Sequence, residues 1–112
     1  MNVKGQTVLW IAQRLSAALL AVCVAVHLAT IVAATQSGLS AAAILARTRG
    51  SAAWFAFYTL FVLAAALHAP IGLRSVLSEW CAWRGPSRDI ALAVFSGILL
   101  WTGMRAVWAV FQ

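Results

Sequence analysis

Three long runs of apolar residues divide this chain, and polar segments rich in Gly, Ser and Arg separate them. The runs cover about residues 8–34, 52–73 and 90–111. Each run is long enough to cross a bilayer as a helix, which needs roughly 20 mainly apolar residues. Between the first two runs, residues 38–46 predict a short interfacial helix. The pattern therefore predicts an all-α, integral membrane three-helix bundle that forms a single anchor domain over residues 1–112.

Composition excludes the main alternatives to a membrane protein. Hydrophobic residues make up 64% of the 112 residues and charged residues only 9%. A typical soluble domain is about 45–50% apolar and about 25% charged. The chain therefore lacks the charges that would cover a soluble surface, and its two cysteines do not form a Cys-x-x-Cys pair.

The net charge of +6 is distributed unevenly along the predicted topology. Five basic residues fall at the start of the first span or after the second: Lys4, Arg14, Arg74, Arg84 and Arg88. Only Arg47 and Arg49 lie in the loop on the other side. Cytoplasmic loops carry an excess of Lys and Arg, so the amino terminus is predicted inside and the carboxyl terminus outside. The basic excess points to membrane lipid as a partner, with no nucleic acid expected.

Both histidines, His27 and His68, lie inside predicted spans. An ionisable side chain within a membrane is costly and by default suggests a functional site. The alternative is a neutral imidazole that hydrogen-bonds a carbonyl of a neighbouring helix. Histidine is also a common axial ligand of haem iron, and helix bundles hold such cofactors between their helices.

The helix face around His68 combines small and aromatic residues. At helical spacing it includes Phe57, Phe61, Ala64 and Gly72. The small residues one turn either side of His68 leave room for a flat macrocycle, although small residues also serve close helix packing. Two residues beyond His68, Pro70 cannot donate a backbone hydrogen bond, which frees the carbonyl of Ala66.

The depths of the two histidines favour separate haems. With a rise of about 1.5 Å per residue, His27 lies roughly 20 Å from Arg14 and His68 roughly 9 Å from Arg74. If both arginines sit at one interface, the imidazoles differ in level by about 10 Å. Two haems then each need a further ligand from another chain, while one haem held by both histidines stays open.

Arg105 lies roughly 22 Å into the third span, near the level expected for His27. Either its side chain extends to the outer surface, or it pairs with the propionates of an outer haem.

Two segments carry a resemblance to a known family. His68, Gly72, Arg74 and Glu79 have the spacing seen in the second membrane helix of the cytochrome b anchor subunits of succinate dehydrogenase and fumarate reductase. The segment Gln13-Arg14-Leu15-Ser16-Ala17 is similar to that family's His-Arg-x-Ser-Gly motif. Three spans in a little over a hundred residues also match its short members.

The resemblance implies roles on the haem side of the protein. His68 would be an axial ligand of haem b, and Gly72 would leave space for it. Arg74 would pair with a haem propionate or with an iron–sulfur subunit. His27 is similar in place to the first-helix histidine of two-haem anchors, which implies a second haem iron ligand there.

The resemblance also implies a site for ubiquinone or menaquinone. Arg14 would bind the quinone or a propionate, with Ser16 on the adjoining face. Glu79 stands in place of the usual Asp and would support the quinone pocket or the docking surface. Trp80 stands where some members have a Tyr near the quinone, and Gln13 replaces the motif's His.

Taken together, the resemblance implies a multi-pass subunit of the bacterial inner membrane. It would pass electrons from an iron–sulfur subunit to quinone, while succinate chemistry would belong to a flavoprotein subunit on the inner face. A second anchor chain or a second copy would supply further histidines.

Two alternatives remain open from the sequence. One is a small transporter or channel subunit, which the lack of Asp and Glu within the spans disfavours. The other is an anchor that is haem-free, or a cytochrome b that serves a different dehydrogenase.

Overall fold

The computed structural model describes residues 2–112 as four helices, with no strand in that part of the chain. The helices are α1 (Val3–Ser37), α2 (Ala41–Thr48), α3 (Ala52–Trp80) and α4 (Pro86–Phe111). The three long helices are each apolar and long enough to cross a membrane. The predicted all-α membrane architecture is therefore confirmed, and the protein is a multi-pass membrane protein.

The long helices extend beyond the predicted apolar spans. Local caps define where they begin: Asn2 accepts a 2.8 Å hydrogen bond from the amide of Gly5, and Ser51 accepts one from Trp54. Past residue 73, where the apolar run was predicted to end, α3 continues as helix to Trp80. The apolar pattern reports the membrane-buried part, whereas backbone hydrogen bonding continues into the interface. The short helix forms as predicted, displaced to Ala41–Thr48.

Helix α3 lies between α1 and α4, and α2 packs against α4. Helices α1 and α3 are antiparallel, since Ser16 contacts His68 while the later His27 contacts the earlier Phe61. Helices α3 and α4 are also antiparallel, since Ser96 bonds Ala66 while the later Gly103 lies against the earlier Val62. The buried apolar residues are few and mostly small: Cys23, Ala34, Ala64, Ala66, Leu92 and Val107. Small residues let helix backbones approach closely in a membrane. Most large apolar side chains consequently face outward.

Pro70 lies within α3 without ending it. The carbonyl oxygen of Ala66, which loses its backbone donor to Pro70, accepts a 2.7 Å hydrogen bond from Ser96 Oγ of α4. The predicted free carbonyl thus has a partner on the neighbouring helix. This bond links α4 to α3 two residues before His68.

A polar cluster joins the end of α3 to the start of α4. Arg88 is 6% exposed and donates hydrogen bonds to Ser78 Oγ and to the Asp89 carboxylate. Asp89 also forms an ion pair with Arg74, at 3.6 Å. The cluster holds the two helices together around the loop at residues 81–85.

Candidate functional site

His68 is held against α1 by Ser16. The His68 Nδ1 atom lies 3.4 Å from Ser16 Oγ, and the Ser16 side chain is buried, at 5% exposure. Ser16 Oγ–H itself donates to the carbonyl of Gln13 at 3.1 Å. With its proton on that carbonyl, the Ser16 hydroxyl has a lone pair available to accept from His68 when the imidazole carries its proton on Nδ1. In that tautomer the Nε2 lone pair is free, which is the form that binds a metal.

The space above Gly72 is occupied by Gln13. A Cβ atom added to Gly72 would lie 3.1 Å from Gln13 Nε2. The other amide atom, Gln13 Oε1, is buried and has no hydrogen-bond partner within residues 2–112. Gly72 therefore admits a neighbouring side chain in this chain, where the sequence suggested clearance for a macrocycle.

The helix face around His68 is turned toward α1. Ala64 is buried, and Phe61 packs edge-on against His27 at 5.7 Å between ring centroids. The small residues on this face thus serve close packing of α1 on α3. A macrocycle ligated by His68 would lie beside this helix pair.

His27 sits in an aromatic setting toward the other end of the bundle. Its ring packs edge-on against Tyr58 at 5.8 Å as well as against Phe61. Its Nδ1 atom is buried without a hydrogen-bond partner among the residues that the structure describes. Unlike His68, this imidazole has no neighbouring hydroxyl that orients it. It lines a cavity of about 490 Å³ between the four helices.

The two histidines lie at different depths: Phe61, which packs against His27, precedes His68 by seven residues in α3, or roughly 10 Å along the axis. Ser16, which marks the level of His68, precedes His27 by eleven residues in α1, or roughly 16 Å along the axis. The predicted difference of about 10 Å assumed that Arg14 and Arg74 share one level. In the observed helix pairing, these two arginines are offset by about one turn. One iron held by both histidines does not fit this arrangement.

The predicted quinone residues are only partly brought together. Gln13 and Ser16 lie beside His68, as described above. Arg14 is exposed, with its guanidinium carbon 5.2 Å from the centre of the Trp10 ring. Glu79 and Trp80 are exposed at the end of α3, Trp80 at 84%. Within residues 2–112 neither contacts Arg14 through a hydrogen bond or ion pair.

The two remaining predicted cationic residues differ in setting. Arg74 is half-buried and pairs with Asp89. Arg105 is exposed and does not line the cavity that contains His27. Among the described residues it has no ion-pair partner.

Several residues of the site were not singled out from the sequence. In the sequence, Ser96 stands out only as a polar residue in the third span. Nothing there shows that it bonds the carbonyl freed by Pro70. Arg88 was treated as a topology signal, yet it is buried in the polar cluster. No group of three or more His, Cys, Asp or Glu side chains is placed to hold a bare metal ion in the described chain.

Comparison with known proteins gives one assignment. The family model described as "Succinate dehydrogenase/Fumarate reductase transmembrane subunit" matches residues 1–106. Searches of the curated proteins and of the solved structures found no match. The family match covers all three long helices except the last residues of α4.

Proposed function

The chain belongs to the family of succinate dehydrogenase/fumarate reductase transmembrane subunits, and we propose that it binds haem b through His68 and helps pass electrons to quinone. Membership in this family implies association with flavoprotein and iron–sulfur subunits in a membrane complex. Succinate or fumarate chemistry then belongs to the flavoprotein. This assignment favours an anchor over a transporter or channel subunit.

The observation that carries the haem proposal is the Ser16–His68 contact. Ser16 Oγ is placed to accept a hydrogen bond from Nδ1–H, and in that tautomer Nε2 is unprotonated and has no hydrogen-bond partner among residues 2–112. Metal-binding histidines usually donate their other ring N–H to such an acceptor, which fixes the tautomer and the ring orientation. A haem bound at this position supplies a one-electron carrier within the membrane.

The second axial ligand would come from outside this chain. His27 lies roughly 10–16 Å away along the helix axes, so it does not reach the iron bound by His68. A second anchor chain or a second copy of this one would contribute the other histidine. The predicted second haem, with His27 as a ligand and Arg105 beside its propionates, stays a separate prediction.

Quinone is proposed to bind near the Gln13 end of the same region. The buried Gln13 Oε1 atom has no partner in the described chain, so it is free to accept a hydrogen bond from a hydroquinone hydroxyl. Arg14 adds a positive charge one residue away, for a quinone oxygen or a haem propionate. Glu79 and Trp80 lie farther toward the end of α3 and would support the pocket or the docking surface.

The basic end of the bundle is proposed to face the cytoplasm of a bacterium. Arg74, Arg84 and Arg88 lie at this end, and Arg74 is partly accessible beside Asp89. This surface would dock the iron–sulfur subunit and interact with propionates. Ubiquinone and menaquinone both fit these requirements.

The test is the absorption spectrum of the complex purified with this chain. We expect a Soret band that is lost in His68→Ala, and added imidazole should restore it by replacing the missing ligand. Restoration would separate ligand loss from misfolding.

His27→Ala is the matched control, because it removes the other imidazole of the chain. The haem assigned to His68 should survive this change. A wild-type complex without a Soret band would indicate a haem-free anchor, and a spectrum unchanged by His68→Ala would overturn the assignment.

A further inference from the structure

A second site lies at the opposite end of the bundle from the Arg74–Asp89 pair. The cavity there has a volume of about 490 Å³, is lined by residues from all four helices and is open on one side. Binding sites for small molecules typically have volumes of about 300–1,000 Å³ and mostly apolar walls. Apart from Tyr58, Phe61 and Thr102, the wall contributed by α3 and α4 is made of Val, Ala, Leu and Gly residues. The cavity is therefore large enough for a ligand with an apolar body.

Among the described residues that line this cavity, only His27 and Tyr58 have side-chain groups free to donate a hydrogen bond to a ligand. Thr48 and Thr102 also line it, but their hydroxyls donate to the carbonyls of Ile44 and Ile98 in their own helices. The hydroxyl of Tyr58 makes no hydrogen bond within residues 2–112. The His27 ring packs edge-on against the Tyr58 ring, at 5.8 Å between ring centroids.

The tautomer of His27 follows from its burial. Its Nδ1 atom is enclosed and has no partner within residues 2–112, and a buried N–H without an acceptor is rarer and costlier than a buried acceptor without a donor. The neutral ring therefore keeps its proton on Nε2. This assignment is the reverse of that for His68, and it makes His27 a hydrogen-bond donor and a poor ligand for iron.

Charge further restricts the ligand. None of the described residues that line the cavity carries a formal charge. Haem brings two propionates, which need cationic partners in a low-dielectric environment. Arg105, the nearest cation along α4, does not line the cavity. An uncharged ligand is therefore favoured.

We propose that this cavity binds an uncharged, lipid-soluble molecule that bears a carbonyl oxygen, with His27 Nε2–H as the donor to that oxygen. The apolar body of the molecule lies along α3 and α4, and Tyr58 is available to a second oxygen. Two sources share this chemistry: the ring carbonyls of a quinone and the ester carbonyls of an acyl lipid. The proposal is independent of haem at His68.

The test uses the full chain in its purified complex and two carbon-13 probes examined separately by infrared difference spectroscopy. One probe is a short-chain ubiquinone labelled at the ring carbonyls, and the other is dioleoyl phosphatidylcholine labelled at the ester carbonyls. Hydrogen bonding from His27 should move the carbonyl band of the bound probe to lower wavenumber. The arm that shows the shift identifies the source.

Variants at His27 and Ala106 test separately the hydrogen-bond donor and the volume of the cavity. His27→Phe keeps a ring in the aromatic group, and it should abolish the shift and weaken binding about fivefold, as expected for one neutral hydrogen bond. Ala106→Phe fills the cavity and should prevent binding. Ala109→Phe, on the same helix but outside the lining, should leave binding unchanged.

Three results would overturn the proposal. The first is no shift with either probe, and the second is a shift that persists in His27→Phe. The third is a haem that is present in the wild type and lost from His27→Phe while the haem assigned to His68 remains. That last result would instead support the prediction of a second haem iron at His27.

Discussion

Ser96 of α4 donates a 2.7 Å hydrogen bond to the carbonyl oxygen of Ala66 in α3. This carbonyl has no backbone donor because residue 70, four positions later, is proline. The bond therefore satisfies a polar group that the helix cannot satisfy by itself. It lies one helical turn from Pro70 and two residues from the proposed haem ligand.

Replacing Ser96 should measurably weaken the α3–α4 packing. Ser96→Ala leaves the Ala66 carbonyl unpaired in an apolar environment and should lower the free energy of unfolding by about 1 kcal/mol. Ser96→Thr keeps the hydroxyl and should retain most of the stability. Reversible unfolding in mixed detergent micelles measures both. Ser37→Ala is the control, since that hydroxyl bonds only within its own helix, and an equal loss there would contradict the assignment.

Ser16 should tune the proposed haem through His68. Removing the acceptor in Ser16→Ala makes Nε2 a weaker donor to iron, which disfavours the oxidised state. The midpoint potential should therefore rise, by about 40 mV if one hydrogen bond of about 1 kcal/mol is lost. A redox titration followed by absorbance measures the change, and Ser16→Thr should restore the original value. An unchanged potential in Ser16→Ala would show that this contact does not orient the ligand.

Two glycines of α4 form a matched pair for testing helix packing. A Cβ atom at Gly103 would lie 2.6 Å from Val62 Cγ1 and 3.3 Å from Val62 Cβ, so rotating Val62 does not relieve the clash. Gly103→Ala should cost about 1–3 kcal/mol of stability. At Gly97 nothing lies within 4 Å, and Gly97→Ala should stabilise the helix by roughly 0.5–1 kcal/mol. Unfolding measurements that show equal effects at both positions would contradict the packing described here.

The two cysteines provide a test of orientation. Cys81 is exposed in the loop between α3 and α4, whereas Cys23 is buried, at 2% exposure. A membrane-impermeant maleimide should label Cys81 in inverted vesicles stripped of soluble subunits, and it should leave intact spheroplasts unlabelled. Cys81→Ser should remove the signal. Labelling of Cys81 in spheroplasts would place this loop outside and reverse the proposed orientation.

The elements of the fold were predictable because length and hydropathy report membrane spans directly. The three long helices and the short α2 were predicted, and only their ends moved. The free carbonyl at Ala66 was also predictable, because proline has the same effect in any helix. Its partner Ser96 was not, because the sequence does not specify which residues of two helices lie at the same level.

Because the sequence does not specify which residues of neighbouring helices lie at the same level, the candidate site also differs from its prediction. The depth estimate placed Arg14 and Arg74 at one level, but a long arginine side chain reaches the interface from several depths. Gly72 was noted for its small size, and sequence alone cannot distinguish space for a cofactor from space for Gln13. The tautomers of the two histidines depend on neighbours from other parts of the chain, so they required the structure.

The central position of α3 also determines how mutational effects combine. Since α1 and α4 make their main contacts with α3, substitutions in α1 and α4 share few neighbours. Their energies should be additive, whereas either should show coupling with α3 in a thermodynamic cycle. Helices α1 and α4 could therefore change independently during evolution, provided that α3 is kept.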